Sequence, residues 1–314
     1  MFIQQAYKGD NTSWKVAITT VLMLSIFVAN IVAVLFGEID TLAETNKMYE
    51  QIESKNFWFV ANLSFFVFLL LMLFGLVFYL HQRSIISLTT AREKIDFKRI
   101  AFSFGLVFFI GIASFAVEYY MYPGVVVLDF QPVNFVILVF LCLLLFPFQI
   151  GFEEYLFRGY LMQQIGIVAR NRWFPLIITS VMFGLLHLGN PEVAKMGGIT
   201  MIFYIGTGLF LGIVTLMDEG LELALGFHFA NNFLAATLVT AEYSALRTDS
   251  LFKYVSQQST TSFYHILIPI LIAYPIILII LAKKYKWNNW KEKLFGRVPD
   301  ASESNVEVSF PHKM

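Results

Sequence analysis

The sequence predicts an all-α fold, a polytopic membrane helix bundle of about eight transmembrane helices, and three observations carry that expectation. The first is composition: of 314 residues, 58% are hydrophobic and 14% charged, against roughly 25% charged in a soluble domain. The second is the amount of apolar surface. Thirty-four Phe and a mean hydropathy of +0.68 exceed what 22 basic and 22 acidic side chains can screen from water, so that surface has to face lipid. The third is placement, because apolar runs near the roughly 20 residues that cross about 30 Å of hydrocarbon recur along the chain.

The first run, 16 to 36, is too long for a signal-peptide core and no small-residue cleavage pattern follows it, so it reads as a retained helix. Runs at 57 to 80, 100 to 118 and 133 to 152 follow, then 173 to 189, 197 to 217, 221 to 240 and 263 to 282. With the N-terminus inside, 17 Lys and Arg fall on inner segments and five (Lys47, Lys55, Lys195, Arg247 and Lys253) on outer ones. That asymmetry predicts both termini on the cytoplasmic side. No repeat or long polar linker divides the chain. Residues 1–282 read as one membrane-embedded domain with a core at about 150–235, and 283–314 as a basic, Trp-anchored tail with a disordered end. Short loops without an organelle retention signal suggest a bacterial plasma membrane. The balanced charge provides no field for nucleic acid, and the lone Cys142 reads as a small buried hydrophobe.

Ionisable groups inside apolar runs are costly and therefore functional candidates. Three clusters qualify: Glu153, Glu154 and Arg158 in FPFQIGFEEYLFRGYLMQQ; His187 in VMFGLLHLGN; and His228, Asn231 and Asn232 in LALGFHFANNFL. Glu154 and Arg158 are four apart and can pair on one helix face, while Glu153 points about 100° away and is left over. His228 and Asn232 also share a face. Each cluster alone could merely bridge helices, but three within 80 residues strain that explanation. The segment 153 to 187 reads as a helical hairpin turning near 170 to 173, which sets Glu153 and His187 at a common depth. Its base, with Gln163, Gln164, Arg170 and Arg172, is expected to protrude from the bilayer, which makes 152 an early boundary for the fourth run or places a kink at Pro147 or Gly151.

Several chemistries are excluded by residue type. No G-x-S-x-G elbow is present, no Asp lies inside a span, and His187 and His228 are followed by LGNP and FANN, so H-E-x-x-H is absent. What remains is one Glu, two His and an amide. E-E-x-x-x-R at Glu153, Glu154 and Arg158, F-x-x-x-H at Phe183 and His187, and H-x-x-x-N at His228 and Asn232, in this order on successive helices, resemble the CPBP family. That family comprises the CAAX prenyl endopeptidases and the bacteriocin-processing and immunity (Abi) membrane proteins.

The resemblance implies an intramembrane endopeptidase acting on a peptide or protein substrate. Glu153, assisted by His187, would activate water; His228 and Asn232 would donate to the oxyanion; Glu154 and Arg158 would hold the helix. Phe183 reads as packing. No cofactor is required, although one Glu and two His also match a catalytic zinc set. The alternatives are a non-catalytic scaffold or immunity protein on the same fold, a zinc-dependent peptidase, and a proton-coupled transporter, the last lacking internal duplication.

Overall fold

The computed structural model describes residues 1–37, 40–255 and 267–303. The apolar runs have become helices, the solution that satisfies every backbone N–H and C=O within one segment. A short 3₁₀ turn, Ile3–Lys8, precedes α1 (Ser13–Leu35). Then come α2 (Thr41–Gln51), α3 (Lys55–Gly75) with a π-helical end at Leu76–Leu80, α4 (Ile85–Thr89) and α5 (Phe97–Met121). After β1 (Val126–Leu128), α6 (Pro132–Glu154) passes through a π segment, Tyr155–Leu161, into α7 (Met162–Ala169). The core continues with α8 (Trp173–Leu186), α9 (Pro191–Met196), α10 (Thr200–Asp218) and α11 (Glu222–Thr237). Strands β2 (Val239–Thr240) and β3 (Phe252–Tyr254) complete a small sheet in the order β1-β3-β2, and a final helical stretch runs from Pro269 to Tyr285.

By length and composition, five helices among the described residues can cross a membrane: Ser13–Leu35, Lys55–Leu80, Phe97–Met121, Pro132–Ala169 and Thr200–Asp218. The protein is an all-α integral membrane protein. The other three expected spans are helices below that length, with α8 at 14 residues and α11 at 16; the start of the last, 263 to 266, lies outside the described residues, as does the tail end from 304.

The boundary at 152 is corrected. Pro132–Ala169 is helical for 38 residues, and its second half is polar because its partners are protein. Gln163 accepts from Arg83, and Gln164 Nε2 donates to Asn11 at 2.7 Å. The hairpin base is therefore clothed by the N-terminal turn, whose Phe2, Ile3 and Ala6 are fully buried. The tail from Lys283 also folds back over its described part: Trp287 Nε1 donates to Asp218 at 3.1 Å, Lys293 pairs with Glu219, and Val298 is buried.

Small residues set the helix spacing around the centre, as expected where lipid offers no hydrophobic drive between helices. A Cβ on Gly208 of α10 would lie 2.8 Å from the Ser180 carbonyl of α8, and one on Gly226 of α11 would overlap the Ile100 carbonyl of α5. Ser103 Oγ donates to the Leu223 carbonyl at 2.7 Å, locking α5 against α11. At one end Asp218 and Glu222, on either side of the left-handed Glu219, share Arg92 at 3.1 and 2.8 Å, which fixes where α11 starts.

Candidate active site

Glu153 and Glu154 are the last two residues of α6, immediately before the helix widens into its π segment. A π turn admits an extra residue and re-aims the side chains beside it. Both carboxylates point inward: Glu153 is 5% exposed, and Glu154 and Arg158 are fully buried. Burial of this kind persists only if partners compensate the lost hydration.

Those partners are specific. Arg158 Nη1 meets Glu154 Oε1 at 2.8 Å, as the i,i+4 spacing predicted, and Arg158 Nη2 donates to the Gly208 carbonyl at 3.1 Å. The guanidinium lies 4.2 Å from the Phe183 ring centre, a cation–π contact across the hairpin. Glu154 Oε1 also accepts from His228 Nδ1 at 2.8 Å. Glu154 thus does more than hold its own helix: it fixes the orientation and plane of a ring on α11. The other nitrogen, Nε2, then faces Glu153 Oε2 at 3.6 Å. Among the described residues that oxygen is buried without a hydrogen-bond partner.

His187 follows the last residue of α8, its N–H donating to the Gly184 carbonyl at 2.9 Å. Its Nδ1 lies 2.9 Å from the Phe183 carbonyl, so Nδ1 carries the proton and Nε2 keeps its lone pair. Phe183 is the hub of this side, with its ring 4.9 Å from His187, 5.9 Å from His228 and 5.8 Å from Phe157. No hydrogen bond or ion pair joins His187 directly to Glu153 among the described residues. The two histidine rings nevertheless flank the Phe183 ring, Glu153 reaches the group through His228, and the hairpin expected from the sequence is present.

Asn232 sits one turn beyond His228, and Asn231 Nδ2 donates to its Oδ1 at 3.4 Å. Asn232 Nδ2 donates at 2.9 Å to Gln149 Oε1, and Gln149 Nε2 donates to Glu153. Gln149 was not among the sequence candidates. Its signal was available: an amide one helical turn before a buried carboxylate, inside an otherwise apolar run. Tyr204 was also missed, and its ring stacks on His187 with centres 4.2 Å apart and planes at 18°. No sequence pattern places it there.

Among the described residues no group of three or more His, Cys, Asp or Glu side chains is arranged to hold a metal ion. The arrangement can hold one carboxylate and one bare imidazole nitrogen as proton acceptors, and offer amide and ring N–H donors.

The fold and the site together define a polytopic membrane protein with a buried acid–base cluster between its helices. Residues 132–234, from the start of α6 to α11, match the family described as type II CAAX prenyl endopeptidase, Rce1-like. The resemblance read from the three motifs is borne out, and at the level of that family it supports a membrane-embedded protease. A curated relative, the uncharacterized protein YyaK of Bacillus subtilis (strain 168), is 26% identical over 243 residues, covering 76% of this chain and 81% of its own. No solved structure matches.

Proposed function

We propose that this protein is an intramembrane endopeptidase of the CAAX type in which Glu153 activates a water molecule. The observation that carries the reading is the Glu153 carboxylate: buried, outside the Glu154–Arg158 ion pair, and facing His228 Nε2 at 3.6 Å. Its neighbour Glu154 is spent on Arg158 and His228, so the two adjacent carboxylates have divided roles.

In the proposed reaction Glu153, assisted by the bare Nε2 of His187, takes a proton from water as its oxygen adds to the scissile carbonyl. The tetrahedral oxyanion accepts hydrogen bonds from His228 Nε2–H and from the Asn232 amide, whose second N–H is not used by Gln149. For that donation His228 is doubly protonated, with Glu154 holding its Nδ1–H. Collapse breaks the C–N bond, and the proton held by Glu153 passes to the departing amine. The reaction needs no metal. The substrate is a peptide or protein segment reaching the site from the cytoplasmic side of a bacterial plasma membrane, with both termini of the enzyme on that side.

The test compares wild type, Glu153→Gln and Glu154→Gln in membranes, following cleavage of a quenched peptide library with and without a zinc chelator. Glu153→Gln should fold in wild-type amount and lose about 10²- to 10⁴-fold in turnover, the range for removing a general base. Glu154→Gln should lower the folded amount, because an unpaired buried Arg158 costs about 3–5 kcal/mol. Wild-type cleavage by Glu153→Gln would sink the mechanism, whereas no cleavage by wild type together with a cellular phenotype that survives Glu153→Gln would favour a scaffold. Inhibition by the chelator would replace it with a zinc-dependent one.

A further inference from the structure

The ring stacked on His187 belongs to a chain of contacts that the proposed reaction does not use. Tyr204 lies on α10, and its hydroxyl donates to Glu192 Oε1 while accepting from Asn190 Nδ2 at 3.2 Å. Asn190 Nδ2 reaches the same Glu192 oxygen at 3.1 Å. The second Glu192 oxygen accepts from the Ala245 backbone N–H at 3.0 Å, in the segment between β2 and β3. Pro191 occupies the first turn of α9, so the turn presenting Asn190 and Glu192 has little conformational freedom. The Tyr204 hydroxyl is thus held from two sides by groups that are themselves held.

His187 needs such a support. It follows the end of α8 and, among the described residues, makes one side-chain hydrogen bond, to the carbonyl four residues back. A single bond at Nδ1 fixes the tautomer but lets the ring hinge about that bond. The Tyr204 face, 4.2 Å away and nearly parallel, blocks the hinge on one side, and the Phe183 ring blocks it on another. Phe183 is held by the Arg158 guanidinium, whereas Tyr204 is held by α9 and the β2–β3 segment.

We infer that Tyr204 is a positioning residue for His187: anchored through Asn190 and Glu192, its ring aims His187 Nε2 at the water that Glu153 activates. The inference rests on the reading of His187 as the helper of Glu153. It places a requirement of the reaction in the turn between α8 and α10, outside the three motifs.

The experiment uses the full chain in detergent micelles or nanodiscs, labelled at histidine; with five His in the sequence, the His187 resonance is assigned by its loss in His187→Gln. Tyr204→Leu removes the stacked face. It should move the His187 resonance downfield as the ring current disappears, and lower kcat on the quenched peptide library about tenfold to a hundredfold with KM nearly unchanged, the scale of a small misplacement of a reacting group. Tyr204→Phe keeps the face and should restore most of both, which a general loss of folding would not allow. Glu192→Gln, which weakens the anchor without touching the ring, should fall between the two. An unmoved His187 resonance in Tyr204→Leu overturns the inference whatever the turnover. So does wild-type kcat in that variant, in which case the reading of His187 stands as long as His187→Gln remains inactive. Wild-type turnover by His187→Gln removes both.

Discussion

Gln149 has a single amide with which to serve two neighbours: Nε2 donates to Glu153, and Oε1 accepts from Asn232 at 2.9 Å. The two ends of an amide are not interchangeable, so this one side chain sets the relative placement of the proposed base and the proposed oxyanion donor. Replacing it by Leu leaves a buried carboxylate oxygen and an amide N–H each without that partner, a loss of about 1–3 kcal/mol. Replacing it by Glu turns the donor facing Glu153 into a second carboxylate. Gln149→Leu is expected to lower turnover of the peptide library about tenfold to a hundredfold, with a modest drop in the thermal midpoint. Gln149→Glu should be worse on both counts. A Leu variant that cleaves at the wild-type rate would show that Asn232 and Glu153 find their places without the bridge. Glu154 makes a related point about neighbouring residues of one type, since one helical position decides which carboxylate meets Arg158 and His228 and which is left for chemistry.

At the scale of elements, α11 carries two of the proposed site residues and is positioned by close contact with α5. Gly226 lies one turn above Glu222 and two residues before His228, and a methyl group there would overlap the Ile100 carbonyl. Gly226→Ala is therefore expected to push α11 away from α5 and cost about 1–3 kcal/mol, seen as a lower melting temperature of the purified protein together with reduced turnover. An unchanged melting temperature would mean that α5 yields at no cost. Much of this architecture was legible, because a segment crossing hydrocarbon must be long, apolar and helical, and those properties are local. The fourth run was cut short at 152 for the same reason: Glu153, Glu154, Arg158, Gln163 and Gln164 lower the local hydropathy, while the helix persists because Glu154, Arg158, Gln163 and Gln164 each bond to another element and Glu153 is bonded by Gln149 of its own helix. Motif residues could be recognised by spacing on one helix. Gln149 could have been, by the same rule. Tyr204 could not, since its contact with His187 exists only when α10 has packed against α8, and the strands of two or three residues between the later helices leave no alternating pattern to read.

The molecule as a whole is tied at one end by His81, which joins parts of the chain far apart in sequence. Its Nδ1–H donates to the Asp10 carbonyl at 2.8 Å, and Nε2 lies 3.0 Å from both the Thr19 and Tyr160 hydroxyls. The N-terminal segment, α1, the end of α3 and the π segment after α6 therefore meet on one neutral imidazole. Burial, the largest influence, lowers the His81 pKa below its usual 6.5, against the smaller opposing effect of the bond to Asp10. For a base lowered in the folded state, the unfolded chain binds more protons in the window between the two values. Stability is accordingly full above the unfolded value, falls as pH drops through 6.5, and stops falling below the folded value. Protonation would also give Nε2 a proton where it now accepts, turning both hydroxyls away. Melting temperatures measured from about pH 8 to about pH 5, the range in which histidine changes charge, should decline for wild type at the acidic end. His81→Gln, which keeps one donor and one acceptor but cannot titrate, should melt lower at neutral pH and show a shallower decline. Equal slopes for the two proteins would mean that the acid sensitivity of the fold lies elsewhere and that this junction is not titrated. A shallower slope in the variant would mark the packing of the N-terminal segment onto the central helix as the acid-labile joint of the bundle. Turnover lost with that joint at low pH would then reflect unfolding rather than titration of the site.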